Sequence, residues 1–318
     1  MRVFITGANG FVGRFLCQFL VETGHKVVAA VRTLPKKPFQ KMVEVAVIGN
    51  IGPETDWADF LRGQDVVIHL AGRAHANDKR NLNIDALYYS VNVEGTICLA
   101  KASLTAGVKR FIYLSSIKAM CEGSGNRALI ESMVPEPEDI YGKTKREAEL
   151  GLLEVVNNAV MGALILRPPL IYGPGVKGNF LSLMLACNRG FPFPLKNIKN
   201  KRSFLYLGNL VEALSLLVEV KNIANGIFLI SDSDSISTPE LIRRISFSLG
   251  RPSRLYPFPI WLLHLFGLIC GKPGAITRLV GTLEIDASEL KKTLGWTPSF
   301  NMIQGLEETA KWFLDKRI

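Results

Sequence analysis

The chain has 318 residues, 48% of them hydrophobic and 21% charged, which is the composition of a folded protein too long for one small core. A formal net charge of +10 calls for an anionic partner: a phosphorylated cofactor, a nucleotide substrate or an acidic membrane face. No zinc-finger spacing, basic aromatic patch or helix-turn-helix pattern occurs, which sets nucleic acid aside. The five cysteines are odd in number and scattered without metal-ligand spacing, so the reading expects no metal and a reducing, cytoplasmic compartment.

In chain order, Arg2-Val3-Phe4-Ile5-Thr6 is short, apolar and β-branched and predicts a buried strand. Its start at residue 2 is read as leaving no room for a leader. Gly7-Ala8-Asn9-Gly10-Phe11-Val12-Gly13 follows, and Phe11, Phe15, Leu16, Phe19 and Leu20 then recur at helical spacing. A strand, a turn with three glycines and a helix predict a cradle for a dinucleotide pyrophosphate. Gly7 would allow the tight turn, Gly10 the approach of backbone to phosphate, and Gly13 close packing of helix on strand. The N–H groups of the first turn, with Asn9, Phe11 and Val12 among its residues, would face the anion.

His25–Val31 predicts a second strand, ending at Arg32, where NAD-preferring dinucleotide folds place an acid on the ribose hydroxyls. Arg32, with Lys36 and Lys37 behind it, suits a 2′-phosphate or is a solvated basic loop. A third strand covers Val43–Ile48, with Asn50-Ile51 at the usual place of an adenine contact. A fourth, Asp65–Leu70, ends in Ala71-Gly72, small enough for a cofactor to lie against. His69 reads as a packed strand residue rather than a ligand. A long helix from about Asp85 to Ala106 would contain Asn92, and Lys109–Leu114 is the fifth strand. This alternation implies parallel pairing with helices on both faces.

The fifth strand ends in Ser115-Ser116, and a loop rich in Gly, Ser, Glu and Pro runs to Asp139. Tyr141 and Lys145 then open a strong helix and share one face of it. A lysine near a phenol lowers the phenol pKa, which is chemistry for proton transfer near neutral pH.

Together these residues resemble the extended short-chain dehydrogenase/reductase family, and within it the nucleotide-sugar epimerases, dehydratases and 4-ketoreductases typified by UDP-glucose 4-epimerase. The resemblance rests on the Gly7/Gly10/Gly13 turn, His69-Leu70-Ala71-Gly72, Asn92, Ser115-Ser116, the Tyr141/Lys145 pair and Arg167-Pro168-Pro169-Leu170-Ile171-Tyr172-Gly173-Pro174. It implies a Rossmann-type, doubly wound α/β sheet in residues 1–167, completed by about 203–231, with residues 168–318 mainly a smaller substrate lobe. It implies that Tyr141 is the acid/base at the sugar C4 oxygen, that Ser116 bonds the same oxygen, and that Lys145 lowers the Tyr pKa and holds the nicotinamide ribose. Asn50, Ile51, Leu70, Ala71, Gly72, Asn92, Pro168 and Leu170 would complete the cofactor site. Arg73, His75, Asn179, Arg202 and Arg278 would face the substrate, with Arg202 on its diphosphate. Family dehydratases carry Asp-Glu after the catalytic hydroxyl; Ile117 and Lys118 stand there, so dehydration is not expected.

The expected activity is NADP-linked reduction of a UDP-4-keto-6-deoxy-hexosamine at C4, as in O-antigen and other surface-polysaccharide precursor synthesis. NADP(H) is favoured over NAD(H) by the missing acid at Arg32. The alternatives are an NAD-dependent UDP-hexose or UDP-N-acetylhexosamine 4-epimerase and, in a different class, a non-catalytic NADP-sensing regulator. A homodimer through the two long helices is the partner expectation. Pro257–Cys270 is apolar almost throughout but shorter than the ~20 residues a spanning helix needs. It reads as a helix buried in the substrate lobe or at a subunit contact, with peripheral membrane contact as the alternative.

Overall fold

A computed structural model describes residues 1–74, 83–220, 224–269, 271 and 273–316. The elements of the first half are β1 (Arg2–Thr6), α1 (Phe11–Glu22), β2 (Lys26–Val31), β3 (Val43–Val47), α2 (Ala58–Leu61), β4 (Val66–His69), α3 (Ile84–Tyr89), α4 (Gly95–Thr105), β5 (Arg110–Leu114), α5 (Ile140–Val155) and β6 (Gly162–Arg167). There follow β7 (Leu170–Tyr172), α6 (Gly178–Asn188), β8 (Phe204–Tyr206), α7 (Leu207–Glu219) and β9 (Gly226–Leu229). Last come α8 (Thr238–Ser248), α9 (Ile260–Ile269), α10 (Pro273–Val280), α11 (Ser288–Leu294) and α12 (Met302–Asp315).

Seven strands make one parallel sheet in the order β3-β2-β1-β4-β5-β6-β9. Val3, Phe4 and Ile5 of β1, an inner strand, are wholly buried, which is why it reads as an unbroken apolar run. On one face Phe4, Val28, Phe111 and Ile165 pack with Trp57, Leu99 and Leu152, so α2, α4 and α5 cover that face. β1 pairs with β2 on one side and β4 on the other, in register Thr6↔Ala30 and Thr6↔His69. The strand order reverses here, and in open α/β sheets the crevice beyond the carboxyl ends at such a point is where ligands bind.

The chain forms two compact units. The first holds Met1–Cys121, Val134–Pro168 and Val211–Leu229, and therefore the whole seven-stranded sheet. The second holds Glu122–Met133, Pro169–Leu210 and Ile230–Ile318. In the second unit β7 and β8 pair in parallel, and Phe180, Tyr172, Tyr206 and Phe300 form a chain of ring contacts with centroids 5.3–5.6 Å apart. Ser237 caps α8 by accepting from the Glu240 N–H, with Pro239 in the first turn as the sequence suggests.

Two expectations need correction. The helix read as continuous from Asp85 to Ala106 is α3 and α4 joined by a π-helical turn, Ser90–Glu94, and Asn92 sits in that turn. The apolar stretch near residue 260 is not a helix buried in its lobe. Leu263 of α9 is 5% exposed, but Trp261, Leu268 and Ile269 are 68%, 64% and 75% exposed. Composition records how apolar a segment is and not what covers it. Among the described residues no helix is long and apolar enough to cross a membrane.

Candidate active site

Gly7 ends β1 at a φ of +68°, and a Cβ there would come within 2.7 Å of the Ala71 nitrogen. A Cβ on Gly13 would collide with the Gly7 carbonyl and with Ala8, so α1 packs onto the turn only because residue 13 is glycine. Gly10 is the N-cap of α1, no side chain caps it, and no acid stands in the first turn. The start of α1 therefore offers backbone N–H groups and a positive dipole end to an anion. Val12 is buried in the core, so any part it takes in binding is through its backbone.

A cleft of about 920 Å³ opens from this turn, lined by Gly7, Asn9 and Gly10, by Arg32 and Thr33, by Asn50 and Ile51, and by Leu70 to Ala74. A glycine cradle, an uncapped helix start and an extended cleft at the switch point fit a dinucleotide. Arg14, on the side of α1 away from its apolar face, ties this end together. Its guanidinium donates to Asn9 Oδ1 (2.9 Å) and to the Lys37 carbonyl (2.5 Å), and lies 4.7 Å from the centre of the Phe39 ring. The loop bearing Arg32, Lys36 and Lys37 is thereby held against the glycine turn.

His69 is fully buried between two hydroxyls, with Nδ1 2.6 Å from Thr6 Oγ1 and Nε2 3.0 Å from Thr96 Oγ1. Burial, with the Lys145 charge adding to it, pushes its pKa down to about 3, so it is a neutral packing residue as read from the sequence. Asn92 accepts from the Arg73 N–H (2.7 Å) and donates to the Arg73 carbonyl (3.1 Å) and to Thr144 Oγ1 (3.1 Å). It fastens the segment after β4 to α5, one residue before Lys145.

The two serines after β5 do different things. Ser115 turns inward and donates to Glu149 Oε1 (2.6 Å). Ser116 accepts from the Lys118 N–H (3.2 Å), starting the short helical turn Ile117–Ala119, and its hydroxyl is near enough to the Tyr141 phenol to pull the phenol pKa down. Lys118 pairs with Asp139 (2.7 Å), and Asp139 caps α5 by accepting from the Gly142 N–H (2.7 Å). A Cβ on Gly142 would strike the Lys118 carbonyl, so glycine lets α5 approach this turn. Asp139 before the helix was a readable capping signal. Glu149 has no such local signature.

Lys145 is buried, donates to the Leu114 carbonyl (2.9 Å) and stands 4.5 Å from the centre of the Tyr113 ring. Its amine is also the nearest atom, at 3.2 Å, to a Cβ built on Gly72. Burial pushes its pKa down to about 8, against the pull of Glu149. The phenol pKa is set by burial rather than by Lys145: burial pushes Tyr141 up to about 12, against the pull of the neighbouring Ser116 hydroxyl. Tyr141 is a protonated phenol at neutral pH.

The remaining candidates divide between the units. Arg73 lines the cleft, Pro168 accepts from the Ile117 N–H (2.9 Å), and both belong to the first unit. His75 lies outside the described residues. Leu170, in β7, Asn179, in the first turn of α6, Arg202 and Arg278 belong to the second unit. Arg202 donates to the carbonyls of Arg278 (2.8 Å) and Gly281 (3.1 Å). Burial, then the Arg278 charge, push its pKa down against the pull of Glu122.

Residues 3–231 match the model of the NAD dependent epimerase/dehydratase family. The chain belongs to this family. It is 39% identical over 98% of its length to a UDP-glucose 4-epimerase of Vibrio cholerae, 95% of which is covered. It is 27% identical, over 98% of the chain and 95% of the relative, to the N-acetyl-alpha-D-glucosaminyl-diphospho-ditrans,octacis-undecaprenol 4-epimerase of Escherichia coli O157:H7. Its fold is similar to that of the UDP-glucuronic acid 4-epimerase from Bacillus cereus in complex with NAD, with a TM-score of 0.79, 21% identity and 99% of each chain covered. As a family member the chain is an NAD(P)-dependent enzyme of the epimerase/dehydratase kind, with a Rossmann-like sheet.

Proposed function

We propose that this epimerase/dehydratase enzyme reduces a UDP-4-keto-6-deoxy-hexosamine at C4 with NADPH, in synthesis of a surface-polysaccharide precursor such as O-antigen. The observation that carries this reading is Arg32: the cleft wall beyond β2 presents a guanidinium where an acid would hold the ribose hydroxyls of NAD. Arg14, by bonding the Lys37 carbonyl, holds a basic loop beside it. NADPH is a reductant that leaves after turnover, which suits net reduction.

When bound, the nicotinamide supplies the hydride. Tyr141, kept protonated by its burial, gives the proton to the C4 oxygen as that oxygen gains negative charge. Ser116, whose hydroxyl neighbours the phenol, donates to the same oxygen. Lys145, fixed on the Leu114 carbonyl and next to Gly72, bonds the nicotinamide ribose. Gly7, Asn9, Gly10, Phe11, Val12 and Gly13 take the pyrophosphate, and Asn50 and Ile51 the adenine. Arg202, with Arg278 beside it and Asn179 as a weaker partner, takes the substrate diphosphate. Arg73 and His75 are assigned to the sugar end. The substrate and cofactor place the enzyme in the cytoplasm, and the dimer read from its long helices goes with this assignment.

A second reading, a UDP-hexose 4-epimerase, is favoured by the similarity to the UDP-glucose 4-epimerase of Vibrio cholerae. Cofactor titration separates the two. Arg32→Ala is expected to weaken NADPH by about tenfold or more, the worth of one charge-assisted phosphate contact, and NADH by less than about twofold. Equal loss of both would remove Arg32 from the 2′-phosphate and with it the support for reduction. In the second unit, Arg202→Ala should weaken UDP binding by about tenfold, and Arg202→Lys should raise KM more than it lowers kcat. UDP titration by calorimetry checks this; wild-type affinity in Arg202→Ala would free Arg202 from the diphosphate.

A further inference from the structure

The exposed apolar surface of α9 is not used by the reaction above. Tyr256, Ile260, Trp261, Leu265, Leu268 and Ile269 are all exposed large hydrophobic residues within fourteen positions of one another. Such a cluster in a folded chain marks a surface meant to be covered. At ten residues α9 is about 15 Å long, half the thickness of a bilayer core, so it cannot span one.

The charge around it is one-sided. Between Glu240 and Glu284 the sequence holds six Lys or Arg and no Asp or Glu, of which Arg243 and Arg244 pair with Glu240; between Glu154 and Glu212 it holds seven and none, of which Arg167 pairs with Glu149 and Lys201 with Glu284. The second unit joins these two stretches at the foot of α9. Phe193 donates to the Arg254 carbonyl (2.7 Å), Tyr256 donates to the Phe193 carbonyl (2.9 Å), and Lys196 donates to the Tyr256 carbonyl (3.0 Å). These backbone bonds fix exposed Arg251, Arg254, Lys196 and Lys199 on the segments that flank the apolar helix. Phe191, 53% exposed, stands in the same collar.

We propose that α9 and this basic collar dock the enzyme on the surface of an anionic phospholipid bilayer, with α9 lying in the interface. Apolar side chains enter the acyl boundary while arginines and lysines meet the headgroups. The polar component that an interfacial helix usually carries on its own far face is supplied here by the neighbouring segments. A second copy of the chain is the poorer occupant. A two-fold contact through α9 would bring each collar against its own image, with no acid in either stretch to offset the repulsion. This inference stands apart from the choice between reductase and epimerase.

Flotation of the full chain tests it, using vesicles of equimolar phosphatidylglycerol and phosphatidylcholine against vesicles of phosphatidylcholine alone, at low and at high salt. Wild type is expected to float with the anionic vesicles at low salt and to stay at the bottom with the neutral ones. Trp261→Glu/Leu268→Glu changes exposed side chains only, so it should keep its far-ultraviolet circular dichroism and NADPH affinity while binding anionic vesicles about tenfold or more weakly. Arg251→Gln/Arg254→Gln should bind more weakly and lose most of the salt dependence. Wild type that stays at the bottom with anionic vesicles at low salt overturns the proposal. So does a wild-type dimer that binds no vesicle and that Trp261→Glu/Leu268→Glu converts to monomer, which would hand α9 to a second copy.

Discussion

Tyr141→Phe is expected to lower kcat by about 10²–10⁴ while leaving cofactor affinity within about twofold. The ring is retained, so the half-buried position at the second residue of α5 keeps its packing. What disappears is the hydroxyl that burial keeps protonated. The proton that must reach the C4 oxygen then comes from water, which is neither positioned nor of matched acidity. Lys145→Ala should behave differently. It removes the amine that bonds the Leu114 carbonyl and sits beside Gly72, so cofactor affinity and turnover should fall together. Single-turnover kinetics with NADPH, alongside fluorescence titration of the cofactor, separates the two patterns. A Tyr141→Phe enzyme with near-normal kcat would take the phenol out of the mechanism.

The largest effect on stability is expected at Glu149. Its carboxylate has no solvent exposure and receives Ser115 Oγ (2.6 Å), Arg167 Nε (2.9 Å) and Nη2 (2.6 Å), and Arg146 Nη1 (3.2 Å). Arg167 is itself 2% exposed. The fork joins α5 to the ends of β5 and β6, and α5 carries both Tyr141 and Lys145. Removing one partner of such a pair leaves the other as an uncompensated buried charge, at a cost of about 3–5 kcal/mol. Glu149→Ala should therefore lower the unfolding free energy of the sheet-bearing unit, read from urea denaturation, by an amount in that range, and Arg167→Met by a similar amount. The double variant should recover part of the loss, because the orphaned charge is gone. A single variant that melts within about 1 kcal/mol of wild type would show that the pair is not buried in solution.

Much of this site is legible in the residue order because its signals are local. The apolar run Val3-Phe4-Ile5, three glycines at fixed offsets and the helical period after Phe11 each report on their own neighbourhood, and each is where it was read. The serine pair was half legible. Both hydroxyls look alike in sequence, and only alternation along β5 and the presence of Glu149 on α5 turn Ser115 inward. Glu149, Arg14 and Thr144 act through partners distant in sequence, so no local pattern marked them. The phenol pKa could not be read either. A four-residue spacing says that Tyr141 and Lys145 share a face, but burial decides which way the proton is held. The π turn at Asn92 was hidden for the same reason, since Arg73 and Thr144, which its side chain binds, lie 19 and 52 residues away.

The central claim, that this family member reduces a C4 ketone with NADPH, is tested most directly by following the hydride. The enzyme is given a UDP-4-keto-6-deoxy-N-acetylhexosamine and NADPH deuterated at its transferable C4 position. The account predicts one NADPH oxidised for each C4 hydroxyl formed, with deuterium on the sugar C4. No oxidation of NADPH, together with rapid interconversion of UDP-N-acetylhexosamine C4 epimers on NAD that stays bound to the protein, would contradict it.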